Sequence, residues 1–237
     1  MDVKGKVTLI TGASSGIGKA TAELFSREGA QLALAARSYD KLVKIASGMP
    51  GAIAIKADMT RPDEVRQMVK TAADHFGRID ILINNAGQGF RAPVEFTHYQ
   101  DLAYLMSLNV YGPLIAMQEV IPLMRKQGGG TIVNISSGTA LASFPTLGGY
   151  AATKAALRMI SNTARNELAG EKIVVSTVLP GATATDFSRN VLKGRLPFTP
   201  QQMQMPPLDP VEVVSEGILD VVRTGDAEKI LARIQPR

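Results

Sequence analysis

Val7-Thr8-Leu9-Ile10-Thr11-Gly12-Ala13-Ser14-Ser15-Gly16-Ile17-Gly18 decides the fold. A β-rich apolar run enters a glycine-rich turn, and a helical pattern opens directly behind it. Gly12 permits a tight turn, Gly16 lets backbone approach a pyrophosphate, and Gly18 allows close helix packing, while the helix N-terminus offers N–H groups to phosphate. Ser14, Ser15 and Ile17 lie in the same turn and belong to the candidate cofactor site. The spacing is not G-x-G-x-x-G, so three other readings stand beside this one. A P-loop would need Gly at 13 and Ser or Thr at 20, where the chain has Ala13 and Ala20. Gly12-Ala13-Ser14-Ser15-Gly16 also matches a G-x-S-x-G nucleophile elbow, which would make Ser14 a hydrolase nucleophile. That elbow expects an acid and then a histidine downstream, and only His75 and His98 are available. A turn without any ligand is the plainest reading.

Outward from this turn, short β-rich runs alternate with helical patterns. Leu32-Ala33-Leu34-Ala35, a helix over 41–46, Ala52-Ile53-Ala54-Ile55, a helix Pro62–Phe76 and Ile79-Asp80-Ile81-Leu82-Ile83 follow in order. Pro62 suits a first helical turn, with Thr60 as N-cap and Asp63 and Glu64 near the positive helix end. Later come a helix from about Tyr99, the strand 131–135, a long helix carrying Tyr150, the strand 173–178, a helix over 211–222 and a strand 229–232. Near-continuous apolar strands between helices predict an α/β fold, a doubly wound parallel sheet covered on both faces. Residues 1–237 read as a single Rossmann-like domain, and 187–210, rich in Pro, Gln and Met, as a substrate-covering loop or a mobile insertion.

Composition narrows the function. The 237 residues are 45% hydrophobic and 20% charged, enough for one substantial core. Neither an apolar run of spanning length nor a signal-peptide pattern stands in the sequence, so a soluble, cytoplasmic protein without membrane partners is expected. Cysteine is absent and histidine occurs twice, which leaves no zinc site; the metal expectation is none. The net charge of +5 is scattered, with no basic run or interleaved aromatics, so no nucleic-acid partner is expected and an anionic small molecule is preferred.

Tyr150-Ala151-Ala152-Thr153-Lys154 supplies the chemistry. A helix sets a phenol and an ammonium side by side at this spacing. A nearby cation favours phenolate over phenol and lowers the tyrosine pKa towards the range where proton transfer is efficient. On its own the pair is as compatible with an ordinary helix surface. Together with the glycine turn it points to a nucleotide cofactor beside a proton-transfer site.

Thr11-Gly12-x-x-x-Gly16-x-Gly18, Asn84-Asn85-Ala86-Gly87, Asn109, Ser137, Tyr150-x-x-x-Lys154 and Pro180-Gly181 resemble, in order and spacing, the compact short-chain dehydrogenase/reductase family. The resemblance spans nearly the whole chain. It implies a nicotinamide cofactor and reversible hydride transfer with a carbonyl or alcohol substrate, with Asn109, Ser137, Tyr150 and Lys154 as the catalytic set. Tyr150 would protonate the substrate oxygen, Lys154 would lower its pKa and hold the nicotinamide ribose, and Ser137 would hydrogen-bond the same oxygen. Ser136 is the competing serine, and a turn hydroxyl is the plain reading of either. Asn109 matches a position of local helix distortion, where a water links it to the lysine. Asn85, Ala86 and Gly87 would wall the cofactor and stabilise the sheet. Asp58 matches the adenine-contacting position, with Met59 beside it. Pro180, Gly181, Thr183 and Thr185 would wrap the nicotinamide and phosphates.

Cofactor choice follows from charge. An acid after the second strand binds a ribose 2′-hydroxyl and repels a 2′-phosphate, whereas Arg accommodates the phosphate. Here Ala36 holds the expected acidic position, and Arg37 and Ser38 follow, which predicts NADP (NADPH) over NAD. Asp40 is close enough to pair with Arg37 instead. Segments 88–93, 137–147 and 187–205, with Leu141, Phe144, Leu147 and Phe187, are candidate walls for an apolar substrate. The resemblance also implies a homotetramer or homodimer through the helices near Tyr99 and Gly149. The competing function is a nucleotide-sensing or interaction protein on the same fold without useful catalysis. Epimerase or dehydratase chemistry is a lesser alternative.

Overall fold

Adjacent residues of the apolar runs point to opposite faces, and both faces are buried. The computed structural model describes residues 1–194 and 207–232. Its first half holds β1 (Val7–Thr11), α1 (Gly16–Arg27), β2 (Gln31–Ala36), α2 (Tyr39–Ala46), β3 (Ile53–Lys56) and α3 (Pro62–Phe76). The second half holds β4 (Ile81–Asn84), β5 (Phe90–Arg91), α4 (Tyr99–Met106), α5 (Gly112–Lys126), β6 (Gly130–Ile135) and α6 (Gly148–Leu168). It continues through β7 (Ile173–Leu179), β8 (Leu192–Lys193), α7 (Val211–Thr224) and β9 (Glu228–Ile230). Seven strands form one parallel sheet in the order β3-β2-β1-β4-β6-β7-β9. In β1, Ile10 packs with Phe25, Leu42 and Ile218, while Leu9 packs on the other face with Val65, Met68 and Val120. This is the doubly wound, Rossmann-like sheet that the alternating sequence pattern predicts.

The sheet reverses its winding between β1 and β4, and the loops at the carboxyl ends of these strands form the crevice where ligands bind in such folds. The opposite edge is closed by Asp80, whose buried carboxylate accepts from Arg78 and from the Val7 N–H at 3.0 Å. Beneath the crevice, Asn84 Nδ2 donates to Asn134 Oδ1 at 2.9 Å, and Asn134 Nδ2 donates to Ser161 Oγ at 2.8 Å. This buried chain ties β4, β6 and α6 together, because both amide donors find their acceptors in that alignment.

Several local expectations change. Arg61, not Thr60, occupies the N-cap of α3, because the Thr60 hydroxyl donates to Asp58 Oδ1 at 2.8 Å. The helix from Tyr99 is distorted at Asn109, as the resemblance implied: a π-helical turn, Ser107–Tyr111, separates α4 from α5. Pro113 has no N–H to give there, and a Cβ on Gly112 would come within 2.4 Å of the Met59 carbonyl. The last strand ends at Ile230, with the Leu231 and Ala232 N–H groups both donated to the Leu179 carbonyl. A separate two-stranded parallel sheet, β5 with β8, was not expected. Of the stretch 187–210, residues 195–206 lie outside the described residues. Among the described residues no helix is long and apolar enough to cross a membrane.

Candidate active site

The glycine turn is held open by backbone geometry and closed to side chains. Gly12 and Gly16 have φ of +68° and +52°, the left-handed region that favours glycine. A Cβ on Gly18 would fall 2.4 Å from the Gly12 carbonyl oxygen and 2.5 Å from Asn85 Nδ2. Ser15, at the N-cap of α1, makes no side-chain cap bond, and the first turn carries no acid. Its N–H groups and the Ser14 and Ser15 hydroxyls therefore suit an anionic group. Thr185 stands across the turn, with Cγ2 3.2 Å from where a Gly16 Cβ would lie. A cradle that side chains would fill, lined with neutral donors, fits a dinucleotide pyrophosphate.

The Asn85-Ala86-Gly87 turn is fastened to β1 rather than left loose. Thr11 Oγ1 accepts from the Asn85 and Ala86 N–H groups at 3.0 and 3.1 Å, and Asn85 Nδ2 donates to the Thr11 carbonyl at 2.9 Å. The Asn85 amide is thus committed to the sheet. Gly87 has a different use. A Cβ there would lie 3.1 Å from Asn109 Oδ1 and 3.3 Å from Lys154 Nζ, so its bareness lets both groups border one spot. Asn109 sits in the π-helical turn, fully buried, accepting from the Gln88 N–H and donating to the Gln88 carbonyl and Thr153 Oγ1, each at 3.0 Å.

The two serines separate cleanly. Ser136 Oγ donates to the Lys154 carbonyl at 2.9 Å, a structural duty, whereas Ser137 hydrogen-bonds Tyr150. Tyr150 and Lys154 lie one helical turn apart on α6, with Lys154 Nζ 5.9 Å from the centre of the phenol ring and donating to the Ile135 carbonyl at 2.9 Å. Burial pushes the Tyr150 phenol up to about 12, the Ser137 hydrogen bond opposing it, and brings Lys154 down to about 8. The expectation that the lysine would draw the phenol towards phenolate is therefore corrected. Desolvation disfavours charge on both groups and favours Tyr150 as a neutral phenol, the form that can give a proton.

At the carboxyl end of β2, Arg37 and Ser38 are exposed. Arg37 does not pair with Asp40; its Nη1 donates to the Tyr104 hydroxyl at 3.3 Å. Asp58 Oδ1 accepts from the Thr60 N–H and hydroxyl, closing a turn, and the Met59 side chain is buried in the core. Met59 thus offers only backbone to a ligand. At the other end, the Pro180 carbonyl accepts from Gly138, Thr183 Oγ1 donates to the Gly181 carbonyl at 3.2 Å, and Thr185 Oγ1 accepts from Phe187 N–H at 3.3 Å. Among the described residues no cluster of His, Asp or Glu forms a metal centre.

The substrate side is shaped by contacts not apparent in the sequence. Phe187 lies 6.0 Å from the Tyr150 ring, tilted by 55°. A Cβ on Gly89 would come within 3.0 Å of both Phe187 Cε1 and Val191 Cγ2, so this glycine seats the aromatic ring. Gln88 Nε2 donates to the Asn190 carbonyl at 2.6 Å, and Leu192 N–H donates to the Gly89 carbonyl at 3.0 Å. Gln88 and Gly89 fall in the 88–93 segment named as a candidate wall, whereas Tyr104 is a contributor that spacing did not reveal.

The short chain dehydrogenase family model matches residues 6–195. This chain belongs to that family. An uncharacterized oxidoreductase of Staphylococcus saprophyticus is 40% identical over 194 residues, covering 80% of this chain and 79% of that protein. The 3-oxoacyl-(acyl-carrier-protein) reductase of Thermotoga maritima is 38% identical over 195 residues, covering 81% and 79%. The crystal structure of the 3-ketoacyl-(acyl-carrier-protein) reductase of Brucella melitensis complexed with NADH superposes with a TM-score of 0.85 at 26% identity, covering 97% of this chain and 96% of that one. As a short-chain dehydrogenase, the chain carries an oxidoreductase fold suited to a nicotinamide cofactor, which the glycine cradle independently fits.

Proposed function

We propose that this short-chain dehydrogenase is an NADP-dependent oxidoreductase that interconverts a carbonyl and an alcohol, with Tyr150 as acid and base. The observation that carries this is the buried Tyr150 phenol bonded to Ser137, one turn from buried Lys154. Gly12, Ser14, Ser15, Gly16, Ile17, Gly18, Arg37, Ser38, Asp58, Asn85, Ala86, Gly87, Pro180, Gly181, Thr183 and Thr185 would hold the dinucleotide, with Met59 contributing backbone. A dinucleotide held there would supply a hydride from its nicotinamide for the carbonyl carbon. Ser137 steadies the carbonyl oxygen, and Tyr150 gives that oxygen its proton. Lys154 then opposes the negative charge left on the phenol, and Asn109 fixes the wall behind Lys154. In the reverse direction the Tyr150 phenolate takes the proton back. Turnover of a ketone, aldehyde and alcohol panel tests this; dinucleotide binding with no turnover would favour the sensor instead. Exposed Tyr99, Tyr111 and Met159 suit a homotetramer or homodimer through α4, α5 and α6.

The pH dependence has a definite sign. Reduction needs the proton on Tyr150 and the charge on Lys154. Below about 8 both groups are protonated, and above it Lys154 loses its charge while Tyr150, at about 12, keeps its proton. The kcat/KM for reduction should therefore be level below about pH 8 and fall above it. A level profile through pH 10 would contradict this role for Lys154.

The cofactor choice rests on Arg37 standing where an acid would repel a phosphate. Charge-assisted bonds of this kind contribute about 1.5–3 kcal/mol. Arg37→Ala should weaken NADPH binding by about tenfold to a hundredfold, read by fluorescence titration, and leave NADH binding unchanged.

A further inference from the structure

We infer that Tyr104 is the positioning residue that fits Arg37 to a 2′-phosphorylated adenosine nucleotide, an inference that rests on the NADP reading above. Arg37 is exposed at the carboxyl end of β2, where a free arginine would sample many rotamers. Its Nη1 instead donates to the hydroxyl of Tyr104, 67 residues further along the chain on α4. That contact ties the end of β2 to α4. Tyr104 is a firm anchor, because its half-buried ring packs against the apolar layer that includes Met59 and Leu108.

The chemistry of the partner matters as much as its place. Phenol is neutral, so it accepts from the guanidinium without cancelling its charge. A carboxylate in the same position would neutralise Arg37 and repel a phosphate. Asp40, the acid nearest in sequence, forms no ion pair with it among the described residues. The guanidinium keeps its other N–H donors for a ligand. Arg37 and Ser38 thus make a phosphate-binding pair whose guanidinium is held in place by Tyr104 of α4.

The test uses nucleotides that lack nicotinamide, so it is independent of turnover. Adenosine 2′,5′-bisphosphate and adenosine 5′-monophosphate, which differ only by the 2′-phosphate, are titrated calorimetrically into wild type, Tyr104→Phe, Arg37→Ala and the double variant. Tyr104→Phe should weaken the bisphosphate by about threefold to tenfold, the range of one hydrogen bond, and leave the monophosphate unchanged. In the Arg37→Ala background the same change should have no further effect. Equal weakening of both nucleotides would make Tyr104 a wall of the adenosine pocket only, and no weakening, or an undiminished loss without Arg37, would equally overturn the inference. A wild type indifferent to the 2′-phosphate would overturn the NADP reading itself, and this inference with it.

Discussion

Tyr150→Phe should lower turnover by about 10²- to 10⁴-fold, the range of a lost general acid, while dinucleotide affinity changes little. The substitution removes one oxygen and keeps the ring that packs with Phe90, Ala92 and Leu105. Folding should therefore be intact, and the loss should appear in kcat rather than in thermal stability. Ser137→Ala should cost about 10²–10³-fold, since it removes a donor aimed at the oxygen where charge develops. Combining the two should cost less than the product, because both act on the same oxygen and on each other. A Tyr150→Phe enzyme with wild-type kcat would remove the phenol from the reaction.

Gly18→Ala should weaken dinucleotide binding more than tenfold, although alanine is the better helix former. The added methyl would sit 2.4 Å from the Gly12 carbonyl oxygen and 2.5 Å from Asn85 Nδ2. Neither neighbour is the end of a flexible chain. The first is turn backbone, and the second is held by the Thr11 carbonyl. The turn must move away from α1, and overpacking of this kind costs about 1–3 kcal/mol. That corresponds to roughly 2–4 °C in Tm for each kcal/mol at this chain length. The displaced turn would lose its fit to pyrophosphate, so affinity should fall more than tenfold, a larger effect than the stability change. Gly170→Ala, where the methyl would meet nothing within 4 Å, is the matched control and should leave both Tm and affinity unchanged.

What the sequence made legible is what local geometry and residue type decide. The glycine turn, the Tyr150–Lys154 spacing and the acid missing at Ala36 each occupy a few neighbouring residues. Alternating apolar runs were enough for the doubly wound sheet, since Leu9 and Ile10 meet opposite layers whatever lies beyond them. The pairing of Arg37 with Tyr104 and of Gln88 with Asn190 spans 67 and 102 residues, and no local pattern marks either. The strands β5 and β8 have two residues each, too few to show a period. The direction for Tyr150 has the same origin: the Lys154 cation is visible four residues away, but the burial that raises the phenol depends on the whole fold. Thr60 lost the N-cap because a side chain two residues earlier competed for its hydroxyl.

The most direct test of hydride transfer at Tyr150 is isotopic. NADPH carrying deuterium at both nicotinamide C4 positions is incubated with the enzyme and a ketone it accepts, and the alcohol is examined by mass spectrometry. The account predicts one deuterium on the carbinol carbon per turnover with wild type, and label transfer reduced by about 10²-fold or more with Tyr150→Phe. Alcohol formed without deuterium, or labelled at the wild-type rate by the Tyr150→Phe variant, would contradict it.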